Sequence, residues 1–558
     1  MDLTTGLTGM LPAIVLVSAV LTAIISTTLL RLYRRAVIRS MNRGSAPRAT
    51  PLPPGERMPS GEAGSLVIET ITADDRVSGA ALSAYDVTSA SLKRLGIVYS
   101  VAGLAYAVIL CLPWMITADG GFPLPRFIWL VVCYAWPVVL TLQLVAVASR
   151  RGRLWIAGIY LLLVIFSATL ALVRNPVLDV GQLLFFWLFA NAAGTLLLAA
   201  FLTRRIRAVG SLVLAFVVVG VTGAFLAVTL AGSDEGLLQA IATMGGVIGL
   251  NATALFVMLH LVGFAVFGGF GWWLLGRLGR AYQAKRMSDQ SLLVDALWLL
   301  FGVLQSITLA FEGWAWIFTG LVAFAAYKLV AVIGFAQVSE PVAAGEGADR
   351  SLLLLRVFAL GRRSERLFDL FTKRWLRAGS INLIAGPDLA TSTVEPHEFL
   401  DFVGGRLSRQ FIENEEDLQR RLTERDKQPD PDGRYRVNEF FCRQDTWQKT
   451  MQQLSVVSNA VLMDLRGFST DNQGCLWELE QLLSRVPLER VIFVVDETTD
   501  RSFLEEKLHG IWHQIPAGST NHGSTTATFR LLLLSSSTPE MVDALVRQLF
   551  EACESSER

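Results

Sequence analysis

Nine apolar runs dominate the first 335 residues, near 8–30, 95–116, 127–148, 154–173, 182–202, 208–231, 237–275, 291–311 and 314–335. Roughly 20 consecutive apolar residues suffice to cross a bilayer as a helix. With 52% hydrophobic and only 17% charged residues, the chain lacks the polar surface to cover so much apolar area in water, so lipid must solvate part of it. From Ser351 onward the pattern changes: charged residues return, and short apolar runs alternate with amphipathic stretches. The expected fold is a polytopic α-helical membrane bundle of about nine spans, followed by a soluble α/β domain with a five-strand parallel sheet.

The order along the chain follows from this switch. Residues 1–30 read as a first span, because MDLTTGLTGM has no basic n-region and the arginines follow the apolar run rather than precede it. Residues 31–94 read as a partly disordered loop. Its start, MNRGSAPRATPLPPGERMPSGEAGS, is rich in Pro, Gly and Ser. Beyond it, SLVIETIT suits a strand and SGAALSAYDVTSASLKR an amphipathic helix that could dock on the tail. Residues 95–336 hold the other eight spans, 337–350 a linker, and 351–558 the soluble domain.

Orientation follows from the arginines. Arg31, Arg34, Arg35, Arg39 and Arg43 follow the first run; Arg150, Arg151 and Arg153, then Arg204, Arg205 and Arg207, then Arg277, Arg280, Lys285 and Arg286 fill later loops. The intervening loops are poor in basic residues or acidic, as in GSDEG and the tight turn at Glu312. Nine crossings satisfy the positive-inside rule at every loop, with the N-terminus outside and the C-terminus in the cytoplasm. The excess of arginine over lysine and the abundant alanine fit a GC-rich bacterial genome, hence an inner membrane. The bilayer is the expected partner. The formal net charge is +1, and no nucleic-acid partner is expected.

The run at 237–275 is too long for one span and too short for three. One crossing is expected, with the excess as a tilted, interfacial or re-entrant piece, and with Gly245, Gly246, Gly249, Gly263, Gly268, Gly269 and Gly271 permitting either close helix contact through GGVIG or a broken helix that lines a cavity. Tryptophans such as Trp114, Trp129, Trp155, Trp272, Trp273, Trp314 and Trp316 sit near run ends, as in an interfacial belt. Ionisable groups inside the runs are few. His260 is the deepest, and Asp295 and Lys328 lie near inner ends; such groups are functional candidates or hydrogen-bonded packing residues. Five cysteines, Cys111, Cys133, Cys442, Cys475 and Cys553, show no CxxC spacing and read as reduced thiols.

In the tail, candidate strands are Leu352 to Phe358, Ile381 to Ala385, Ala460 to Asp464, Arg490 to Val495 and Thr528 to Leu534. Helices are expected at Ser364 to Arg377, Pro396 to Phe411, Thr446 to Val457, Cys475 to Arg485, Arg501 to Trp512 and Pro539 to Cys553. The charged insert from Glu413 to Arg434 reads as a solvated helix and turn. Parallel sheets of this kind bind ligands beyond the carboxyl ends of their strands. Those ends bring Asp388, Asp464 with Arg466, and Asp496 to one rim as candidate ligand-binding residues. No Walker loop and no GxGxxG follows the first strand, against ordinary NTPase or dehydrogenase chemistry. His509 and His513 have metal-ligand spacing, but HGIWH lacks the zincin glutamate and no metal is expected.

Strand order, size and the third strand leading into GCLWELEQLL resemble a TIR-type domain over roughly residues 351 to 553. In that family the helix after the third strand opens with Trp-Cys-x-x-Glu, whose glutamate serves NAD cleavage in the enzymatic members. Here Cys475 and Glu478 keep the Cys-x-x-Glu part, Gly474 stands in place of the tryptophan and Trp477 comes three residues later. GPDLAT replaces the usual Arg and Pro-Gly pattern after the second strand. The resemblance implies that Glu478 is the catalytic carboxylate, that NAD is the substrate and that the tail self-associates. The expected function is a membrane-anchored signalling or effector protein whose tail binds a nucleotide or protein partner. The alternatives are a transporter or channel with a regulatory tail, and a scaffold without catalysis.

Overall fold

The computed structural model describes residues 10–42, 65–72, 75, 77–117, 123–146, 150–201, 207–309, 313–343, 350–356, 362–385, 396–443, 446–516, 518–522, 526–535 and 538–555. The chain divides into two compact units. A helical unit comprises Met1–Tyr33, Leu95–Ala336 and Ser392–Gly404, and a sheet unit comprises Arg34–Arg94, Gln337–Thr391 and Gly405–Arg558.

Nine helices among the described residues are long and apolar enough to cross a membrane, which supports a multi-pass membrane protein. They are built from α1 (Leu11–Asn42), α2 (Gly79–Ile116), α3 (Leu124–Tyr134) continued by α4 (Trp136–Val145), α5 (Arg150–Arg174), α6 (Val180–Phe201), α7 (Arg207–Ser233), α9 (Ala252–Gln283), α10 (Asp289–Leu309) and α11 (Thr319–Ala343). The break between α3 and α4 falls just before Pro137, which has no N–H to continue the helical ladder. Apolar side chains that face away from the bundle, such as Leu162 and Phe166 on α5, are exposed, as lipid-facing residues would be. By contrast, α10 is enclosed, with 16 of its 21 residues buried.

The apolar run at 237–275 is two helices. The 13-residue α8 (Glu235–Val247) ends in a turn at Gly249, whose φ of +76° suits glycine, and Asn251 caps α9 by accepting from the Ala254 N–H at 2.8 Å. Within GGVIG only Gly245 is closely packed, 3.1 Å from Leu255 at its Cβ position, and the tighter approach in this region is at Gly263. A Cβ on Gly263 would stand 2.5 Å from the Gly223 carbonyl oxygen of α7. The same unit contains a short helix, α13 (Pro396–Val403), whose Phe402 meets Tyr33 edge-on at 5.4 Å.

The sheet unit holds a parallel sheet of eight strands among the described residues, in the order β1-β8-β7-β6-β2-β3-β5-β4. The strands are β1 (Ser65–Ile71), β2 (Arg350–Arg356), β3 (Gly379–Ala385), β4 (Phe411–Ile412), β5 (Val437–Cys442), β6 (Ala460–Asp464), β7 (Val491–Val495) and β8 (Thr526–Leu533). All five expected strands are present within two residues of their expected ends, and they follow the order 2-1-3-4-5 of flavodoxin-like sheets. Alternate residues enter two cores. Val461 and Met463 of β6, with Val491 and Phe493 of β7, face one; Ala460 and Leu462, with Ile492 and Val494, face the other. Burial on both faces explains why these strands read as continuous apolar runs. Around them stand α12 (Arg362–Trp375), α14 (Glu415–Thr423), α15 (Trp447–Val457), α16 (Gln473–Arg485), α17 (Arg501–His513) and α18 (Pro539–Glu554).

The sheet corrects the expected count of five strands to eight. The strand expected at SLVIETIT forms as β1 and pairs in parallel with β8, from Ser65 with Thr526 to Ile71 with Leu532. After it, the Ser78 N–H donates to Glu551 at 2.7 Å, and Ala81 and Tyr85 at the start of α2 pack into the core beside α18. β4 begins at Phe411, the last residue of the expected helix, and β5 lies between the charged insert and the helix expected from Thr446, where no element was expected. The helix expected from Pro396 to Phe411 stops at Val403, before Gly405 with φ of +70°, and Phe411 enters β4 instead. Asp430 and Asp432, late in the insert, are buried rather than solvated. Arg436 donates to both oxygens of Asp430 from Nε, and Arg377 pairs with Asp432, all four being buried. Matched charges made this possible, and counting charges alone could not reveal it.

Candidate functional site

The chain leaves β2 on one side for β3 and returns on the other for β6, so the reversal of strand order lies between β2 and β6. Their last residues, Arg356 and Asp464, are register partners. This is where sheets of this type open a ligand crevice. Three of the candidate residues gather here. Arg466 donates from Nε to Asp464 Oδ1 at 2.8 Å and from Nη2 to Oδ2 at 2.7 Å, a two-pronged pair with both side chains buried, at 3% and 6% exposure. Burial acts against the charge of Arg466, but the bonds to Asp464 and the charges of Asp464 and Asp496 hold its pKa above the ordinary arginine value.

The loops after β6 and β7 are laced together. Leu465 donates its N–H to the Val494 carbonyl at 2.8 Å, Thr499 Oγ1 donates to the Leu465 carbonyl at 3.0 Å, and the Asp500 N–H donates to the Phe468 carbonyl at 3.0 Å. Asp496 accepts from the Thr498 N–H at 2.9 Å, and Asp500 caps α17 by accepting from the Phe503 N–H. Thr498 and Thr499, which sequence reasoning passed over, therefore shape the rim. The signal was the Asp-x-Thr-Thr spacing that lets a hydroxyl reach back to a strand-end carboxylate. Asp388 lies outside the described residues.

Glu478 stands on α16, the helix that follows β6. It is 4% exposed, and its Oε2 has no hydrogen-bond partner. Burial pushes its pKa up to about 8, so it is mostly neutral at pH 7. Cys475, one turn earlier, is raised to about 12, first by burial and then by the nearby Glu478. The same helix packs Trp477 edge-on against Trp447 of α15 at 5.0 Å and ties Gln481 to Gln452 at 2.9 Å. No hydrogen bond joins Glu478 to the Asp464 and Arg466 pair. Burying a carboxyl without a partner is costly, and perturbed groups of this kind concentrate at functional sites. Such a group is suited to release a proton when a cationic ligand arrives.

The remaining candidates lie in the helical unit. His260 is half-buried between Phe225 and Phe256, and its Nδ1 lies 2.9 Å from the carbonyl of Phe256 in its own helix. Asp295 is buried, pairs with Lys328 and accepts from the Tyr327 hydroxyl at 3.3 Å. Further along α10, Gln305 accepts from the Tyr106 hydroxyl at 2.8 Å and donates to Asn191 at 3.0 Å. Asn191 and Tyr106 were not singled out from sequence, although an asparagine inside the run at 182–202 was a visible signal. Among the described residues, no group of three or more His, Cys, Asp or Glu side chains is placed to hold a metal ion, His509 and His513 included. Comparison with protein-family profiles, curated proteins and solved structures finds no match to this chain.

Proposed function

We propose that this chain is a membrane-anchored effector whose α/β domain, on the cytoplasmic side, binds a nucleotide at the carboxyl edge of its sheet and cleaves NAD with Glu478. The observation that carries the reading is the buried carboxyl of Glu478, its Oε2 without a partner, on the helix that follows β6, the strand bordering the reversal of strand order. The TIR-like spacing of Cys475 and Glu478 supports the substrate. In this chemistry the glycosidic bond between nicotinamide and ribose breaks, and nicotinamide leaves with the bonding pair. Water adds to the ribose carbon and loses a proton. A carboxylate beside the ribose stabilises the positive charge that develops there. The positively charged pyridinium of NAD favours the ionised form of Glu478 as it enters, so binding itself would prepare the carboxylate. Self-association of the domain would set the active state, and the arginine-bearing loops support an N-terminus outside and a C-terminus in the cytoplasm.

The test uses the full chain reconstituted in lipid nanodiscs, with nicotinamide release from NAD as the readout. Wild type is expected to turn over and Glu478→Gln to lose at least 100-fold, on the order expected for loss of a catalytic carboxyl. Absence of turnover in artificially clustered wild-type protein, together with no NAD-dependent thermal shift, would sink the reading.

A second reading, a transporter or channel with a regulatory α/β domain, is favoured by the buried Asp295 and Lys328 pair and by the Tyr106, Gln305 and Asn191 chain. Solute or ion flux through vesicles holding the chain, abolished by Asp295→Asn, would favour it over the first.

A further inference from the structure

In the helical unit, α8 leaves Leu237 and Met244 exposed among the described residues, while its Gly245 is buried, with Leu255 of α9 3.1 Å from where a Cβ would stand. A single residue, Asp234, separates α8 from α7, and four residues, Ile248 to Asn251, separate it from α9. Both neighbours are long and apolar enough to cross a membrane. Both ends of α8 are therefore held where one span ends and the next begins. Its 13 residues extend about 20 Å, short of the ~30 Å hydrocarbon core, so α8 can neither cross the bilayer nor leave its surface.

The sequence of α8 divides into two faces. Leu237, Ile241 and Met244 recur at steps of four and three, which aligns them on one side of the helix, and Ile248, the residue that follows it, continues their line. Leu237, Met244 and Ile248 are exposed, Met244 at 71%, and Ile241 is half-buried; Leu238 and Val247 are exposed on the two flanks of this stripe. The opposite side carries Gln239, Ala242, Thr243 and Gly246, small or uncharged residues. Charges occur only at the start, where Asp234 accepts from the Leu237 N–H and Glu235 follows; the helix has no lysine or arginine. A second copy of the chain is a poor occupant for this face. A single 13-residue helix is small against the ~800 Å² per partner of a stable interface.

We propose that α8 lies in the plane of the lipid–water interface with Leu237, Ile241, Met244 and Ile248 inserted among the acyl chains. Without a basic residue it holds the surface through apolar burial alone and responds to lipid packing, not to lipid charge.

The experiment places an environment-sensitive fluorophore on Met244→Cys or, as the control, on Gln239→Cys, in the full chain reconstituted in phosphatidylcholine vesicles. The five native cysteines are buried and do not compete for label. A blue-shifted emission is expected at position 244, with loss of iodide quenching and strong quenching by a lipid-borne quencher near the headgroups. Position 239 is expected to stay open to iodide. The shift at 244 should grow when loosely packed unsaturated lipids replace saturated ones and stay unchanged when an anionic phospholipid is added. Stronger quenching from the chain ends, iodide access equal to position 239, or protection that depends on protein density and not on lipid quencher would each overturn the interfacial placement. Dependence on anionic lipid, or indifference to acyl packing, would overturn the packing response.

Discussion

Arg466 and Asp464 meet through two parallel hydrogen bonds, Nε to Oδ1 at 2.8 Å and Nη2 to Oδ2 at 2.7 Å, at the end of β6 where both side chains are buried. Removing either side chain takes two charge-assisted hydrogen bonds from a buried charged partner. Arg466→Met is expected to cost about 3–5 kcal/mol, whereas Asp464→Leu combined with Arg466→Met should recover most of that loss. Thermal unfolding of the purified full chain in detergent checks this. Equal destabilisation by the single and double variants would show that the pair is not the cause.

Glu478 should make the sheet unit lose stability as pH rises. Its folded pKa of about 8 lies above the ordinary 4.5, so below pH 4.5 both folded and unfolded chains hold the proton. Between pH 4.5 and 8 the unfolded chain releases it first, and the penalty grows with pH before levelling off. Glu478→Gln is therefore expected to change little at pH 4.5 and to stabilise by several kcal/mol, at most about 5, near pH 8. Denaturation midpoints of wild type and variant at the two pH values give the comparison, and parallel curves would contradict it.

Gly263 and Gly246 should respond oppositely to added bulk. A Cβ at Gly263 meets the Gly223 carbonyl oxygen at 2.5 Å, whereas one at Gly246 has nothing within 4 Å. Gly263→Val is expected to destabilise the α7 and α9 pair by about 1–3 kcal/mol. Gly246→Ala should be neutral or stabilise by about 0.5–1 kcal/mol through helix propensity. Protease resistance in detergent micelles, titrated against temperature, separates the two.

Lys328→Met should remove the ammonium paired with the buried Asp295 and shorten the half-life of the detergent-solubilised chain at fixed temperature by at least tenfold, about 1.4 kcal/mol in the barrier. Lys328→Arg, which retains the charge, should preserve most of that half-life. A Lys328→Met protein as long-lived as wild type would mean that water reaches Asp295.

What sequence reasoning could read depended on how locally each feature is encoded. The nine spans and the strands β6 and β7 are continuous apolar runs, and a run announces itself within its own residues. β5 was hidden because VNEFFC follows the charged turn PDPDGRYR, whose Asp430 and Arg436 neutralise each other only after folding. β4 has two residues, too few for any periodicity. At the candidate site, Asp464, Arg466 and Asp496 could be placed on one rim because strand ends are legible. That Arg466 would turn back onto Asp464, two residues away, was not, since a side chain's direction depends on the turn at Gly467. Glu478 was found by a spacing, and its burial was invisible because a glutamate early in a helix ordinarily faces water.

The pairing of β1 with β8 sets a clock for biosynthesis. Ser65 leaves the ribosome 461 residues before its register partner Thr526, a delay of roughly 20–90 s at ordinary elongation rates. Throughout that interval SLVIETI is an unpaired, β-prone segment waiting beside newly inserted spans. Any truncation before residue 526 makes the wait permanent, so nonsense products of this gene should be cleared or aggregate rather than persist as partly working anchors.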